Sequence, residues 1–389
     1  MVIQLPPEFP QSAVEQFDLL REKGRLHYFP TEGEIVTYNG FNFEFKISAS
    51  IARKPVLAAD APERRGKGGP FVDPDPDFVV ARPGPEHVVE LSMHAMFRPH
   101  FVLHTRLFAP QTDNLDLGDW DATWAVMLAI QQRAHQPPMM IYNCGYEGGA
   151  SQGHKHVQVF TEPKPGFVLF PEEALTLAEK KAKARSTIGE KDARQEVDVD
   201  TAIVQHPNVP FQHFIQRLAQ PITPEYLLAV YQRLLACVRR AHEDHVERKQ
   251  SEFTQDVSNG ITNGISNANA NANADADAGA NVNGNGNSLA AANGHLTNGH
   301  KKTLSGTNGH HTPALDDMPA STVANNVIMT PEWMCMIPRR RGGKDGTGAG
   351  SLGMLGLLWL KNTKERAHWE ELGMTEHLVW MGVPRYDLK

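Results

Sequence analysis

The sequence predicts an α+β fold, in which helices pack against an antiparallel β-sheet and a low-complexity insert interrupts the chain. Strand-like runs joined by short turns predict the sheet, as in the alternating residues around Asn39-Gly40, a pair typical of hairpin turns. Apolar residues at helical spacing predict the helices. Between residues 256 and 320 the chain becomes Asn, Ala, Gly, Asp, Ser and His, which predicts a disordered segment.

The N-terminal half alternates between the two kinds of element. Residues 11–24 have helical spacing at Val14, Phe17 and Leu20, and Gly24 can end that helix. After the Asn39-Gly40 hairpin, residues 60–70 form a charged, glycine-rich stretch that indicates a flexible connection. The prolines of the following stretch, residues 71–87, exclude a helix.

The middle and C-terminal parts continue this pattern. Residues 117–133 predict an amphipathic helix with Trp120, Trp124, Met127 and Leu128 on one face. Strands are predicted at 87–97, 100–108, 139–145, 154–160 and as two segments within 325–341, helices at 171–187, 223–247 and 363–374, and a buried segment at 351–361. An extended tail is expected to end the chain. These elements predict one domain in two portions, 1–255 and 321–389, on either side of the insert.

Composition excludes several functional classes. The 389 residues carry a formal net charge of −7, which argues against a protein that coats nucleic acid or an anionic membrane. Cys144, Cys237 and Cys335 lie far apart, so neither a disulfide framework nor a cysteine zinc ribbon is indicated. The N-terminus lacks a secretory signal, and the most apolar stretch, residues 351–361, is too short for a membrane span. We therefore expect a cytoplasmic protein, with the nucleus as the alternative.

The stretch GGASQGHKHVQVF, residues 148–160, places polar side chains at alternate positions after a glycine-rich loop. In a strand His154, His156 and Gln158 share one face, and Lys155 takes the other with the valines that follow. Three interpretations compete: a structural strand, a metal site, and a nucleophilic histidine with its helpers. The metal site needs a third and a fourth ligand, and only Glu162 follows nearby.

The nucleophile hypothesis explains more of the stretch. A neutral imidazole can attack phosphorus and form a covalent nucleotidyl-histidine when its other nitrogen is held by an acceptor. Backbone N–H groups of a glycine-rich loop can approach phosphoryl oxygens, and Ser151 and Gln152 add side-chain donors. Gln158 supplies a neutral amide that donates to the same oxygens.

The segment NCGYEGGASQGHKHVQVF resembles the active-site signature of the diadenosine tetraphosphate phosphorylases, the ATP adenylyltransferase branch of the histidine-triad (HIT-like) superfamily. Other segments resemble that family in the same order: SASIARKP, GPFVDPDPDFVV, HFVLHTRLFAPQT, VIMTPEWMCMIPR and SLGMLGLLWLK. The resemblance covers nearly the whole chain except the insert. It implies a HIT-like antiparallel sheet with the phosphates over the histidine strand and the adenines in apolar clefts.

The resemblance also implies a mechanism. His156 would attack the α-phosphorus of one adenylate and expel ATP, and inorganic phosphate would then take the adenylyl group to give ADP. His154 would orient its neighbours, and Gln158 would stand where HIT hydrolases carry a third histidine, which favours transfer to phosphate over hydrolysis. The implied substrate- and phosphate-binding residues are Lys54, Asn143, Gly149, Ala150, Ser151, Gln152, Ser351 and Lys361.

Two departures from the family pattern stand near these residues: Ser92-Met93 replaces Asn-Lys, and Gly350 replaces the asparagine before Ser351. Arg98 or His94 could compensate for the lost lysine. The run Arg339 to Arg341 could add positive field near the site, although such a run is more often a solvated turn.

The partners that the resemblance implies are nucleotides: diadenosine polyphosphates, ATP, ADP and phosphate. No tightly bound cofactor and no metal are expected, although Mg²⁺ can accompany the substrate, and exchange of ADP with sulfate is a further implied activity. The alternatives are a hexose-1-phosphate uridylyltransferase-like enzyme, a non-catalytic nucleotide-binding homologue and, more distantly, a metal-dependent cupin.

Overall fold

The computed structural model of the protein describes residues 3–54, 57–58, 60–132, 137–188, 202–271 and 323–388. The main compact unit comprises Met1–Val246 and Pro319–Lys389, and the second comprises Glu247–Met318. Of the second unit the structure describes residues 247–271, which are helical.

Eight α-helices occur in the described ranges: α1 (Gln11–Glu22), α2 (Ala49–Ala52), α3 (Leu117–Gln131), α4 (Phe170–Ile188), α5 (Pro224–Asn271), α6 (Ser351–Met354), α7 (Thr363–Glu371) and α8 (Met374–Met381). The prediction of α1 is confirmed, because Phe17 and Leu20 are buried and Gly24 follows with a positive φ. Val14 is only half-buried.

Fourteen strands lie in the same ranges: β1 (Glu34–Tyr38), β2 (Phe41–Ile47), β3 (Val79–Ala81), β4 (His87–Leu91), β5 (His100–Thr105), β6 (Pro138–Cys144), β7 (His156–Thr161), β8 (Ile203–Val204), β9 (Phe214–Arg217), β10 (Asn325–Met329), β11 (Trp333–Pro338), β12 (Gly343–Lys344), β13 (Thr347–Gly348) and β14 (Leu357–Leu360). The predicted hairpin is confirmed, since β1 and β2 pair across Asn39 and Gly40, both with positive φ.

The architecture is α+β, as predicted. Nine strands form the main sheet in the order β3-β4-β5-β7-β6-β10-β11-β9-β8, with antiparallel pairing at each neighbour. A second sheet has the order β1-β2-β14, in which β14 runs parallel to β2. The histidine strand β7 lies inside the main sheet between β5 and β6, so its position is fixed from both sides.

Each face of the main sheet carries its own apolar core. Val157 and Val159 of β7 belong to the core that includes residues of α1, α3 and α5. Phe160 belongs to the other core, together with residues of β2, α4 and the C-terminal helices. His156, Gln158 and Phe160 lie on the same face of the sheet. That face is polar at the start of β7 and apolar from Phe160 onward.

Helix α3 differs from the amphipathic prediction. It is buried around most of its circumference, while Leu128 is only half-buried. The reason is that the helix is covered from two sides: it packs on β6 and β7, and Trp120 also contacts Tyr231 of α5, with ring centroids 5.6 Å apart.

Three further predictions need correction. Residues 60–70 were expected to be a flexible connection, but Pro62–Arg65 form a 3₁₀ turn, and Gly66 packs so closely that an added Cβ would lie 2.7 Å from Phe108. The tail contains the helix α8, which buries Leu378 and Met381. Helix α5 continues through Asn271, beyond its predicted end at residue 247, because each added residue of a formed helix gains a hydrogen bond. The insert beyond residue 271 lies outside the described residues.

Candidate active site

The histidine strand is aligned with β5 by its backbone ladder. His156 pairs with His104, and Gln158 pairs with Val102. Since directly opposed residues of an antiparallel pair project on the same face, His104, His156 and Gln158 share one face of the sheet. Lys155 faces the other side, where its ammonium pairs with Asp119 at 2.5 Å.

The imidazole of His156 is held in one tautomer. Its Nδ1–H donates to the carbonyl oxygen of His154 at 2.8 Å, which leaves the lone pair on Nε2. Within the described part of the chain, no group hydrogen-bonds that Nε2 atom. Burial, together with the nearby positive charge of Lys54, lowers the pKa of His156 to about 4. The ring is therefore neutral, and its free nitrogen is nucleophilic, at neutral pH.

Phe71 gathers three histidines around its ring. The ring stacks on His104 at 4.6 Å between centroids, and it lies 5.2 Å from His156 and 5.9 Å from His154. His154 donates from Nε2 toward the carbonyl of Leu107 at 3.1 Å, and its buried Nδ1 has no partner among the described residues. This apolar cover explains why the histidines are desolvated: His156 is only 6% exposed.

Gln158 is oriented by a histidine on the neighbouring strand. The backbone N–H of Met96 donates to Nδ1 of His100 at 3.3 Å, so the proton of that ring resides on Nε2. The Nε2–H then donates to Oε1 of Gln158 at 2.9 Å. Burial lowers the pKa of His100 to about 3, so it stays neutral. The amide nitrogen of Gln158 is thereby left to donate elsewhere.

Gln111 bridges β6 and β7 where their ladder ends. The last paired residues are Ile141 and Gln158. Beyond them Oε1 of Gln111 accepts the backbone N–H of His156 at 2.8 Å. Its amide nitrogen donates to the carbonyls of Asn143 at 2.9 Å and His156 at 3.1 Å. The side chain thus replaces a peptide group and fixes the backbone of His156.

Asn143 is the centre of a second hydrogen-bond network. Its Oδ1 accepts from Nδ2 of Asn326 at 2.8 Å, and from the backbone N–H and the hydroxyl of Ser351 at 2.8 and 2.7 Å. Asn326 also donates to the carbonyl of Gly148 at 2.7 Å and accepts from Arg339 at 2.6 Å. This network ties β6, β10, β11 and α6 together beneath the glycine-rich loop.

A cleft of about 380 Å³ opens over that loop. Its lining includes five residues of the implied substrate site: Lys54, Gly149, Ala150, Ser151 and Lys361. Its volume falls within the range of small-molecule sites. Burial lowers the pKa of the Lys54 ammonium.

The remaining implied site residues do not line this cleft. His154 and His156 lie beneath Phe71, and Asn143 and Ser351 are buried in the network below the cleft floor. Gln152 is half-buried beside Gly69. The structure therefore divides the implied set into a cleft surface, a buried histidine cluster and a supporting network.

Two glycines allow the cleft floor to close. Gly149 has a φ of +88°, and a Cβ there would lie 2.8 Å from the Cα of Gly350. A Cβ on Gly350 would lie 3.1 Å from both terminal atoms of the Asn143 amide. The departure at Gly350 thus removes a side chain from a tight contact with Asn143.

Three arginines near the site, Arg64, Arg98 and Arg339, differ in burial and in hydrogen-bond partners. Arg98 forms an ion pair with Asp18 on the surface, so its charge is compensated there. Arg339 is not in a solvated turn: it is 1% exposed, and burial lowers its pKa to about 9. Arg64, from the turn expected to be flexible, lines the cleft and donates to the carbonyl of Ala150 at 3.0 Å.

Sequence reasoning missed four residues that the structure brings to the site: Phe71, His100, Gln111 and Asn326. Phe71, His100 and Gln111 lie within segments that carry the family resemblance, and that placement was the available signal. Asn326 gave no local signal, because its role comes from pairing of β10 with β6 and β11.

The described part of the chain bears on the metal-site and membrane hypotheses. In the described ranges, no three His, Cys, Asp or Glu side chains are arranged to hold a metal ion. No described helix combines the length and apolarity needed to cross a membrane.

Two family models match the chain. The Ap4A phosphorylase N-terminal domain matches residues 3–176, and the ATP adenylyltransferase C-terminal domain matches residues 207–384. The chain belongs to the Ap4A (diadenosine tetraphosphate) phosphorylase family. It is accordingly an enzyme of the nucleotidyltransferase class. No curated protein sequence matches it.

Solved structures of the yeast Ap4A phosphorylase Apa2 have the same fold. The Apa2 structure without a named ligand has a TM-score of 0.60 at 17% identity, and covers 98% of this chain and 99% of its own. The complex of Apa2 with Ap4A has a TM-score of 0.61 at 17% identity, with the same coverage. The complex with AMP has a TM-score of 0.61 at 16% identity, covering 98% and 100%. This likeness confirms the predicted fold class.

Proposed function

We propose that the enzyme cleaves Ap4A by phosphorolysis to ATP and ADP, through an adenylyl group carried on His156. The observation that supports this most directly is the state of the His156 ring. Its Nδ1–H is committed to the carbonyl of His154, and its Nε2 has no hydrogen-bond partner among the described residues. Family membership and the binding of Ap4A and AMP by Apa2 support the choice of substrate.

In the first step the Nε2 lone pair of His156 bonds to the α-phosphorus of one adenylate. The bond from that phosphorus to the bridging oxygen breaks, and ATP leaves with the electron pair. The adenylylated ring carries positive charge, which the carbonyl of His154 stabilises through the Nδ1–H. In the second step an oxygen of inorganic phosphate attacks the same phosphorus, the bond to His156 breaks, and ADP is released.

The cleft supplies groups that suit a polyphosphate. Lys54, Arg64 and Lys361 bring positive charge to its lining. The backbone from Gly149 to Ser151 brings N–H groups to the same surface. Because the whole chain carries a net charge of −7, such local cations are what would favour an anionic substrate here.

Gln158 favours transfer to an anion over hydrolysis. An amide cannot remove a proton from water, whereas phosphate arrives as an anion and needs no base. Its free amide hydrogens can stabilise the phosphoryl oxygens in both steps. Sulfate is also a tetrahedral oxyanion, so exchange of ADP with sulfate is part of the proposal. We expect no resident metal, with Mg²⁺ entering as a companion of the nucleotide, and we retain the cytoplasm or nucleus as the compartment.

The test is product analysis with Ap4A, with and without phosphate, on the wild-type chain and on His156→Asn. Asparagine can place its amide nitrogen where Nδ1 lies and keep the bond to His154, but it has no atom equivalent to Nε2. With phosphate we expect equimolar ATP and ADP, and we expect no product from the variant. After treatment with EDTA and addition of excess Mg²⁺, the turnover of the wild type should be unchanged. Formation of ATP and AMP without phosphate would indicate a hydrolase. Binding without any turnover would favour the non-catalytic homologue.

A further inference from the structure

A group of basic residues surrounds the C-terminal end of α2, and one of its members, Lys54, lines the cleft. We call this group the distal basic cluster: His27, Arg53, Lys54 and His94. His27 precedes β1, Arg53 and Lys54 follow α2, and His94 lies between β4 and β5. The chain thus brings three separate segments together at this point.

Direct contacts hold the cluster together. The rings of His27 and His94 lie 5.4 Å apart between centroids. Arg53 Nη1 lies 3.4 Å from Nδ1 of His27. Buried Ser50 joins the backbone of His27 and the ring of His94 to α2, because its hydroxyl donates to the carbonyl of His27 at 2.8 Å and its carbonyl lies 3.2 Å from Nδ1 of His94. The arrangement is therefore built by the fold, not by long side chains meeting at the surface.

The cluster lacks a balancing anion in the protein. The groups that face His94 are His27 from the first loop and Arg53 and Lys54 from the end of α2, and each carries or can acquire positive charge. Among the described residues, no carboxylate forms an ion pair with a member of the cluster. Like charges in contact repel, so such a group is stabilised by an external anion.

Lys54 connects the cluster to the catalytic strand. It lines the cleft, as Ile51 of α2 does. Its charge lowers the pKa of His156 and also that of His94, so the ammonium lies close to both rings. Lys54 thus stands between His156 and His94, and the contacts of His94 with His27 and of His27 with Arg53 continue the group of cations beyond it.

We infer that the distal basic cluster binds the phosphates of the dinucleotide that are remote from His156, and that His94 takes up a proton when they bind. The inference rests on the proposed function for the choice of ligand. The cluster would then contact a polyphosphate chain, but it would not contact a mononucleotide, whose single phosphate lies at His156.

The proton follows from the hydrogen bonds of His94. Its Nδ1–H donates to the carbonyl of Ser50, so in the neutral ring Nε2 is an acceptor and cannot bond a phosphate oxygen. Burial, followed by the surrounding cations, lowers the pKa of His94, which keeps it neutral in the empty site. A phosphate reverses this balance, and a proton from solvent converts Nε2 into a donor.

The test measures binding in the His156→Asn chain, which leaves Ap4A intact. Calorimetric titrations with Ap4A and with AMP, in phosphate-free buffers of different ionisation enthalpy, give affinity and proton uptake together. The cluster variant adds His27→Asn and His94→Asn. Both changes remove Nε2, and at position 94 asparagine can keep the bond to the carbonyl of Ser50. The matched control adds Arg98→Gln, which removes a cation already paired with Asp18.

We expect the cluster variant to bind Ap4A about tenfold more weakly and AMP unchanged, since charge-assisted hydrogen bonds are lost only for the longer ligand. Proton uptake on binding Ap4A at pH 7 should disappear in the cluster variant and persist in the control. Equal weakening of both ligands, or no change in either, would overturn the inference.

Turnover of Ap4A by the wild-type chain separates this inference from the proposed function. If binding of Ap4A depends on the cluster but the wild type forms no product, the inference stands and the proposed phosphorolysis is wrong. If the wild type carries out phosphorolysis while the cluster variant binds Ap4A as before, the proposed function stands and the inference about the cluster is wrong.

Discussion

Two polar regions on the same face of the main sheet are built in opposite ways. The histidine side lies on β5, β7 and the loop before β7, and the asparagine side on β6, β10, β11 and α6. The histidine side comprises His100, His104, His154, His156 and Gln158, and the asparagine side comprises Asn143, Asn326, Arg339 and Ser351. Both are largely buried, yet they differ in how completely their polar atoms are bonded.

On the asparagine side one oxygen, Oδ1 of Asn143, accepts three hydrogen bonds, and both ends of the Asn326 amide are bonded. Nε of Arg339 is buried there without a partner among the described residues, while both terminal nitrogens of its guanidinium are bonded. On the histidine side Nε2 of His156 and the amide nitrogen of Gln158 have no partner among the described residues, and Nδ1 of His154 is buried without one. Bonded groups hold a fold, while buried groups without partners cost stability and are available to a ligand. The difference therefore predicts that substitutions on the asparagine side lower stability and those on the histidine side lower activity.

The largest effect is expected for His156→Asn. The variant should lose at least about 10⁴-fold in kcat, because the nucleophilic atom is absent, while its free energy of unfolding changes by less than about 1 kcal/mol. Turnover assays and urea denaturation measure the two quantities. A large loss of stability would show that His156 supports the fold, and the contrast between the two sides would then be wrong.

Asn326→Ala should lower the free energy of unfolding by about 3 kcal/mol, because buried groups of Asn143, Gly148 and Arg339 each lose a partner. Chemical denaturation measures the change. Asn326→Asp is the matched control, since its carboxylate keeps an acceptor for Arg339. An alanine variant as stable as the wild type would show that the network is not a scaffold.

Gln158→Glu should lower kcat about a hundredfold, because the carboxylate still accepts from His100 but no longer donates to the phosphoryl oxygens. Its stability should stay close to that of the wild type. Steady-state kinetics with phosphate as the varied substrate measures the effect. Full activity in this variant would exclude Gln158 from the transfer step.

The stability of the wild type should depend on pH more steeply than that of His156→Asn. The unfolded histidine binds a proton below its ordinary pKa of about 6.5, whereas the folded ring stays neutral down to about 4. As pH falls through that window the unfolded state binds more protons, so the folded state loses stability. We expect the wild type to lose about 2 kcal/mol relative to the variant between pH 7 and pH 5. Parallel denaturation curves at both pH values would contradict the low pKa.

The smallest effect is expected for Gly350→Ala. The added Cβ would press on the Asn143 amide at 3.1 Å, and three hydrogen bonds restrain that amide from moving. A loss of about 1 kcal/mol in unfolding free energy is the expected cost. Thermal denaturation measures it, and an unchanged melting temperature would mean that the cleft floor has room to relax.

The sequence predicted the local elements well and the burial of those elements poorly. The Asn39-Gly40 hairpin and α1 follow from turn chemistry and helical spacing, which act over a few residues. Helix α3 was predicted to have a polar face because the cover provided by α5, more than a hundred residues later, leaves no local signal.

The candidate site shows the same limit. Alternation placed His154, His156 and Gln158 on one face from the sequence alone. The tautomer of His156, the orientation of Gln158 by His100 and the bridging amide of Gln111 depend on pairings between distant segments. The residue types in the sequence indicate which chemistry is possible, but the order of the strands determines which of these residues come into contact.

The central claim is that Nε2 of His156 receives the adenylyl group. The most direct measurement is to incubate the wild-type chain with Ap4A in the absence of phosphate, quench in alkali, and locate the modification by peptide mass spectrometry. We expect one adenylyl group on His156, discharged as ADP when phosphate is added before quenching. An adenylyl group on another residue, or product formed with phosphate while no adenylylated protein can be trapped, would contradict the claim.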